Sequence, residues 1–222
     1  QDANFECVCV NEDCNLECMI EENCLGQCGV EIDDVYCTDN FNANLITAGG
    51  YHNLAINSDQ EVYAWGRNND GEINVPIDLT DVIKVESGEY HSLALKSDGT
   101  VVAWGENDSG QITVPSDLTD VVDISGGENH SLALKSDGTV VAWGHNNVGQ
   151  LDMPTDLDNV VSISAGRDHN LALKADGTVV SWGYDGYDLM NLPSDLNDVV
   201  VITAGAQFST ALKSNGTVVA WG

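Results

Sequence analysis

The sequence is poor in cations: 222 residues carry 7 Lys or Arg against 36 Asp or Glu, a formal net charge of −29. A surface this acidic repels phosphate and has little with which to displace counterions, which excludes nucleic acid as a partner and disfavours an anionic membrane face. No apolar run approaches the roughly 20 residues of a membrane-spanning helix, so no membrane insertion is expected. The first residue is Gln1, with neither Met nor a signal-like apolar stretch after it, which predicts a mature, processed product. Proline is limited to 4 residues, and cysteine is missing beyond Cys37. What is present is ordinary for a globular chain: 42% hydrophobic residues and 22 Gly, in a length that can bury a core.

Cysteine and charge divide the chain. Cys7, Cys9, Cys14, Cys18, Cys24, Cys28 and Cys37 all lie in residues 1–40, with 11 acidic residues and no Lys or Arg, which leaves −29 + 11 = −18 for residues 41–222. So short a segment cannot hold itself together by apolar burial, and its cysteine density fits a disulfide-stapled module in an oxidising, extracellular setting. The spacings C-x-C, C-x4-C, C-x3-C and C-x5-C, with no His before His52, do not follow zinc-site patterns. Seven is odd, so one thiol is unpaired within the chain or bonds another chain, and the pairing is not readable.

From residue 41 the chain repeats every 39 residues. Trp65, Trp104, Trp143, Trp182 and Trp221 keep this step, as do Pro76, Pro115, Pro154 and Pro193. His52, His91, His130 and His169 keep it too, with Phe208 in the fifth place. Each unit reads as three short strands and a connector, with Asp-Gly expected to form a type I′ hairpin turn. Repeats of this length bury their apolar faces on their neighbours. The expected fold is all-β: a β-propeller or propeller-like array of five three-stranded blades (about 41–83, 84–122, 123–161, 162–200 and 201–222) after the Cys-rich module.

The phrase S-A-G-x-x-H-x-L-A-L-K-x-D-G-T-V-V-x-W-G at Ser164 to Gly183 closely resembles the repeats of the regulator of chromosome condensation family. The short unit is similar to the compact bacterial form found in a propeller inhibitor of β-lactamases. The resemblance covers about residues 41–222 and leaves the cysteine segment aside. It implies seven blades, yet seven units need 7 × 39 = 273 residues and residues 41–222 hold five. The last repeat, up to Trp221-Gly222, keeps the internal pattern where a polar capping unit is usual, so something is expected to cover that end: the first blade, the N-terminal segment or another subunit. A contact between subunits would be head-to-tail and would give a filament unless it closes.

The recurrent His is expected to fix its blade by hydrogen bonding to backbone, and the Trp to fill space between blades. Asp70, Asp78, Asp81, Asp117 and Asp120 are weak calcium candidates, better explained as turn residues. A symmetric array supplies one residue set five times, whereas catalysis needs a unique constellation, and no catalytic motif is present; no enzyme and no cofactor other than possible calcium are expected. Residues that break the repeat, Tyr51, Arg67, Tyr90, Arg167, Tyr184, Tyr187, Met190 and Phe208, are candidate interface anchors. Asn107, Asn129 and Asn215 begin N-x-[ST] sequons and are glycosylation candidates. The expected function is that of a secreted, non-catalytic structural or interaction protein that self-assembles, with other copies of itself as partners. The alternative is a monomeric binding or inhibitory propeller recognising a protein partner, and a less supported one is an exchange factor for a small GTPase.

Overall fold

A computed structural model describes Val8–Cys9, Leu16–Glu17 and residues 46–222 apart from Ser58. The chain divides into two compact units, Gln1–Asn40 and Phe41–Gly222. In the first, strands β1 (Val8–Cys9) and β2 (Leu16–Glu17) pair antiparallel. The expected disulfides lie outside the described residues.

The second unit is five antiparallel three-stranded sheets. They comprise β3–β5 (Ile46–Ala48, His52–Ile56, Val62–Gly66), β6–β8 (Val82–Ser87, His91–Lys96, Val101–Gly105) and β9–β11 (Val121–Gly126, His130–Lys135, Val140–Gly144). The last two are β12–β14 (Val160–Ala165, His169–Lys174, Val179–Gly183) and β15–β17 (Val199–Ala204, Ser209–Lys213, Val218–Trp221). The 39-residue period is thus one blade, as expected. The first strands of the second to fifth blades, β6, β9, β12 and β15, begin at Val82, Val121, Val160 and Val199.

The hairpin turn is also corrected. Lys96 N–H donates to the Thr100 carbonyl and Gly99 N–H to the Lys96 carbonyl, which closes a three-residue loop with Gly99 at φ 80. Asp98 is not left-handed, so this is a type I turn with a glycine bulge rather than a type I′ turn. Asp98 turns its carboxylate onto the Thr100 N–H and hydroxyl, which holds it below the usual carboxylate range; Asp137 and Asp176 do the same with Thr139 and Thr178. Part of the acidic charge is thereby turn chemistry.

The middle strand, H-S-L-A-L-K in β7 and β10 and H-N-L-A-L-K in β13, is buried at every residue except Lys. Alternating side chains face opposite sides, and both sides are covered by a neighbouring blade. Leu54 and Ile56 of the first blade pack on Val82, Val85, Ala94 and Trp104 of the second, with Val75 and Leu79 of the connector closing the edge. The set recurs as Leu93 and Leu95 on Val121, Ile124, Ala133 and Trp143, then again at the next two junctions. The small Ala on the trailing side leaves room for the indole.

Candidate functional site

The strongest polar order lies between blades. His52 Nε2 meets Ser92 Oγ at 2.8 Å, and Ser92 Oγ donates to the Glu72 carbonyl at 2.8 Å, which also accepts the Trp104 indole N–H at 2.8 Å. Because the hydroxyl spends its proton on the carbonyl, it must accept from His52 Nε2–H. His91, Ser131, the Gln111 carbonyl and Trp143 repeat this arrangement; His130 uses Asn170 Oδ1 at 2.7 Å, and His169 uses Ser209 Oγ at 2.8 Å. The expected bond from His to backbone is therefore corrected to a side-chain bond into the following blade. Burial holds His91 down at about 3 and His169 at about 4, and pushes His52 and His130 below the usual histidine value as well. These imidazoles are neutral struts.

The rim is formed where each Gly-x-x-His turn meets the residue after Trp-Gly. Gly105 at φ 105 permits the approach, since a Cβ there would sit 2.7 Å from the Tyr90 carbonyl, and the next residue, Glu106, donates its N–H to that carbonyl. The same contact joins Arg67 to Tyr51, His145 to Asn129 and Tyr184 to Asp168. Residues 39 apart therefore alternate around one end of the array.

Between the first two blades the rim gathers three candidate anchors. The Tyr51 and Tyr90 rings stack at 5.5 Å and 16°, and the Arg67 guanidinium lies 4.7 Å from the Tyr90 centroid and 5.7 Å from that of Tyr51. Arg67 donates to Asp70 Oδ2 at 2.7 Å and to Glu72 Oε1 at 2.9 Å. Glu72 is fully buried and stands where later blades carry Gln111 and Gln150, whose amides bond Glu106 and His145 respectively. Sequence reading missed Glu72; the signal was a carboxylate in the place of a repeated glutamine, five residues after the sequence's first arginine. Burial, aided by Asp70 and Asp108, pushes the Glu106 carboxyl up. Contact with the Glu89 carboxylate, and with the Tyr51 hydroxyl, pushes the Tyr90 phenol up. Removing the arginine in Arg67→Ala strands the Glu72 carboxylate, and a loss of about 1–3 kcal/mol is expected in urea unfolding. Glu72→Gln, which installs the residue of the later blades, should recover most of it; an additive double variant would refute the pairing.

The other candidates are dispersed. Tyr184 and Tyr187 meet edge to face at 6.3 Å on a 3-10 turn over Gly186–Asp188, Tyr187 being left-handed at φ 61, while Met190 is half-buried. Leu189, buried, replaces the polar rim residue there. Arg167 pairs with Asp168 beside it and with Glu128 of the preceding blade, and Phe208 is 54% exposed in the fifth. The five first strands line an axial cavity of about 920 Å³, in which Lys84 pairs with Glu86 and Asp123.

Among the described residues no three His, Cys, Asp or Glu converge as a metal set. Asp70 is held by Arg67; Asp81 and Asp120 are left-handed turn residues that accept from Thr80 and Thr119; Asp78 and Asp117 are exposed. Asn107 and Asn215 are exposed, whereas Asn129 is half-buried and the Ser131 of its sequon is buried in the strut.

A radial array of three-stranded sheets, each strutted to the next by histidine and tryptophan, defines a β-propeller-like repeat protein. The model of the regulator of chromosome condensation (RCC1) repeat matches residues 45–72, 82–111, 121–150 and 160–188, over half of the sequence, and the chain belongs to that family. Human WBSCR16 is similar at 22% identity and TM-score 0.69, over 80% of this chain and 61% of that one. Prp20p of Saccharomyces cerevisiae, described with its binding to Gsp1p and histones, is 27% identical at TM-score 0.66, over 78% and 56%. The ectodomain of the Arabidopsis thaliana receptor kinase ACR4 is 22% identical at TM-score 0.68, over 80% and 71%. The chain spans about three fifths of the length of the first two. No curated protein matches it by sequence.

Proposed function

We propose that this is a non-catalytic, secreted interaction protein that assembles with copies of itself. The observation that carries this reading is the apolar surface of the first and fifth blades. Trp104, Trp143 and Trp182 are 4–6% exposed, whereas Trp65, in the same repeat position, is 46% exposed beside Ile46 and Tyr63. On the fifth blade Val218 is 66% exposed. Apolar surface of this kind marks association sites. Secretion is supported by the cysteine-rich leader, which would crosslink or dock neighbouring copies.

A charge of −29 opposes the union of copies, so association should strengthen as salt screens it. Electron microscopy of the full chain at about 0.5 M salt should show end-to-end oligomers, and more of them under oxidising conditions; dispersed single particles throughout would refute the reading. A second reading, in which the rim binds another protein, is favoured by the Tyr51–Arg67–Tyr90 cluster, in which Tyr51 is exposed and Arg67 and Tyr90 are half-buried, because aromatics and Arg are common hot-spot residues. The binding of Gsp1p and histones described for Prp20p supports a protein partner in general terms.

A further inference from the structure

Three of the four connectors share one loop. Asn68, Asn107 and Asn146 accept, through Oδ1, the backbone N–H of Ile73, Ile112 and Leu151, and Gly71, Gly110 and Gly149 take the left-handed turn at φ 87, 82 and 86. The buried Glu72, Gln111 and Gln150 each accept a further N–H from two residues back. The fourth connector keeps none of these bonds. Asp185 stands in the place of the Asn, Asp188 in that of the Gly and Leu189 in that of the Gln. Tyr187 and Asp188 are successive left-handed residues at φ 61 and 59, a strained backbone for side chains other than glycine. What the rebuilt loop presents is a pair of exposed tyrosines. The Tyr184 ring lies over Gly186, where any Cβ would collide with it, and meets Tyr187 edge to face at 6.3 Å. A loop that breaks the local rules without gaining stability marks a place used for recognition.

We propose that Tyr184 and Tyr187, with Asp185 and Asp188 on the same turn, bind an arginine side chain on a basic segment of another protein. The chain itself shows the occupied form of such a site. At the first rim the residue equivalent to Tyr184 is Arg67. Its guanidinium lies 4.7 Å from the Tyr90 centroid and 5.7 Å from that of Tyr51 while it donates to Asp70 and Glu72. Two tyrosines and two carboxylates there hold a cation, whereas among the described residues no Lys or Arg is stacked on Tyr184 or Tyr187. Residues 175–212 contain five Asp and no Lys, Arg or His. A guanidinium fits such a place because it stacks on an aromatic face and pairs with a carboxylate at once. A second copy is a poor occupant: it carries −29, and Arg67 and Arg167, its two arginines, are both already paired. The site is separate from the Tyr51–Arg67–Tyr90 cluster and independent of self-association.

Fluorescence anisotropy of a labelled Gly-Arg-Gly-Arg-Gly peptide, titrated with the full chain at about 0.05 M salt, tests this beside the same peptide carrying citrulline, which keeps the shape and loses the charge. The arginine peptide should bind about fivefold or more tightly than its citrulline counterpart. Tyr187→Gly removes one ring and relieves the left-handed strain, so it should weaken arginine binding about fivefold while raising the urea midpoint. A tyrosine with a merely structural role would not lower affinity as stability rises. Tyr184→Ala should weaken binding by a similar factor. If the peptide binds and neither substitution weakens it, the contact is general attraction to the acidic surface and the proposed site is wrong. Equal binding of the two peptides, or no binding of the arginine peptide at millimolar chain, overturns the proposal as well and leaves self-association untouched.

Discussion

Lowering the pH from 6.5 to 5 should cost the propeller unit about 3 kcal/mol from His91 and His169 alone, with a further loss from His52 and His130. Burial is the first cause at each of the four; neighbouring imidazoles add to it at His91 and His169, while Glu72 at His52 and Asp168 at His130 and His169 partly offset it. Among the described residues Nδ1 of each ring is buried without a partner, so a second proton would add a charged donor with nothing to accept it. The folded values, about 3 for His91 and about 4 for His169, lie below the unfolded value near 6.5, so the unfolded chain binds more protons in between. Stability is therefore fully present above pH 6.5 and declines as pH falls, with a slope that approaches about 1.4 kcal/mol per pH unit for each such histidine once the unfolded ring is protonated. Most carboxylates titrate lower, which isolates the effect between pH 6.5 and 5. Urea unfolding across this window, with His91→Gln as a flatter control, checks it; a pH-independent midpoint would show that these rings are not held neutral.

Equivalent tryptophans should respond very differently to truncation. Trp143 is 6% exposed, packs on Leu93 and Leu95, and gives its indole N–H to the Gln111 carbonyl at 2.8 Å. Trp143→Ala removes a large buried side chain and leaves that carbonyl with Ser131 as its one donor, and a loss of about 3–5 kcal/mol is expected. Trp65, 46% exposed, should cost the single copy less than about 1 kcal/mol on the same change. Equal losses in urea unfolding would mean that the first blade's outward face is already covered.

Much of this was legible because the array repeats. The 39-residue spacing of Trp, Pro and His marked the blades. The strut was legible only by half: His recurs visibly, but its acceptor lies 40 residues on in a neighbouring sheet, and nothing local distinguishes Ser92 from a surface serine. The hairpin was misread because Asp-Gly suits both a two-residue loop and the three-residue bulged loop observed. Tyr51, Arg67 and Tyr90 stood out as departures from the pattern, and their convergence follows from adjacent blades sharing one rim; Arg167 and Phe208 stood out equally, yet lie on other blades. Glu72 was hidden because Glu for Gln is a small change in sequence and a large one when buried beside Arg67.

Sedimentation velocity of the full chain against its Trp65→Ala variant, over a concentration series at 0.02 and about 0.5 M salt, tests self-assembly most directly. The expected result is a wild-type sedimentation coefficient that rises with concentration and salt, and a variant that stays at the single-copy value with its fold intact. A wild-type chain that sediments as one copy throughout would contradict assembly through the outermost blades.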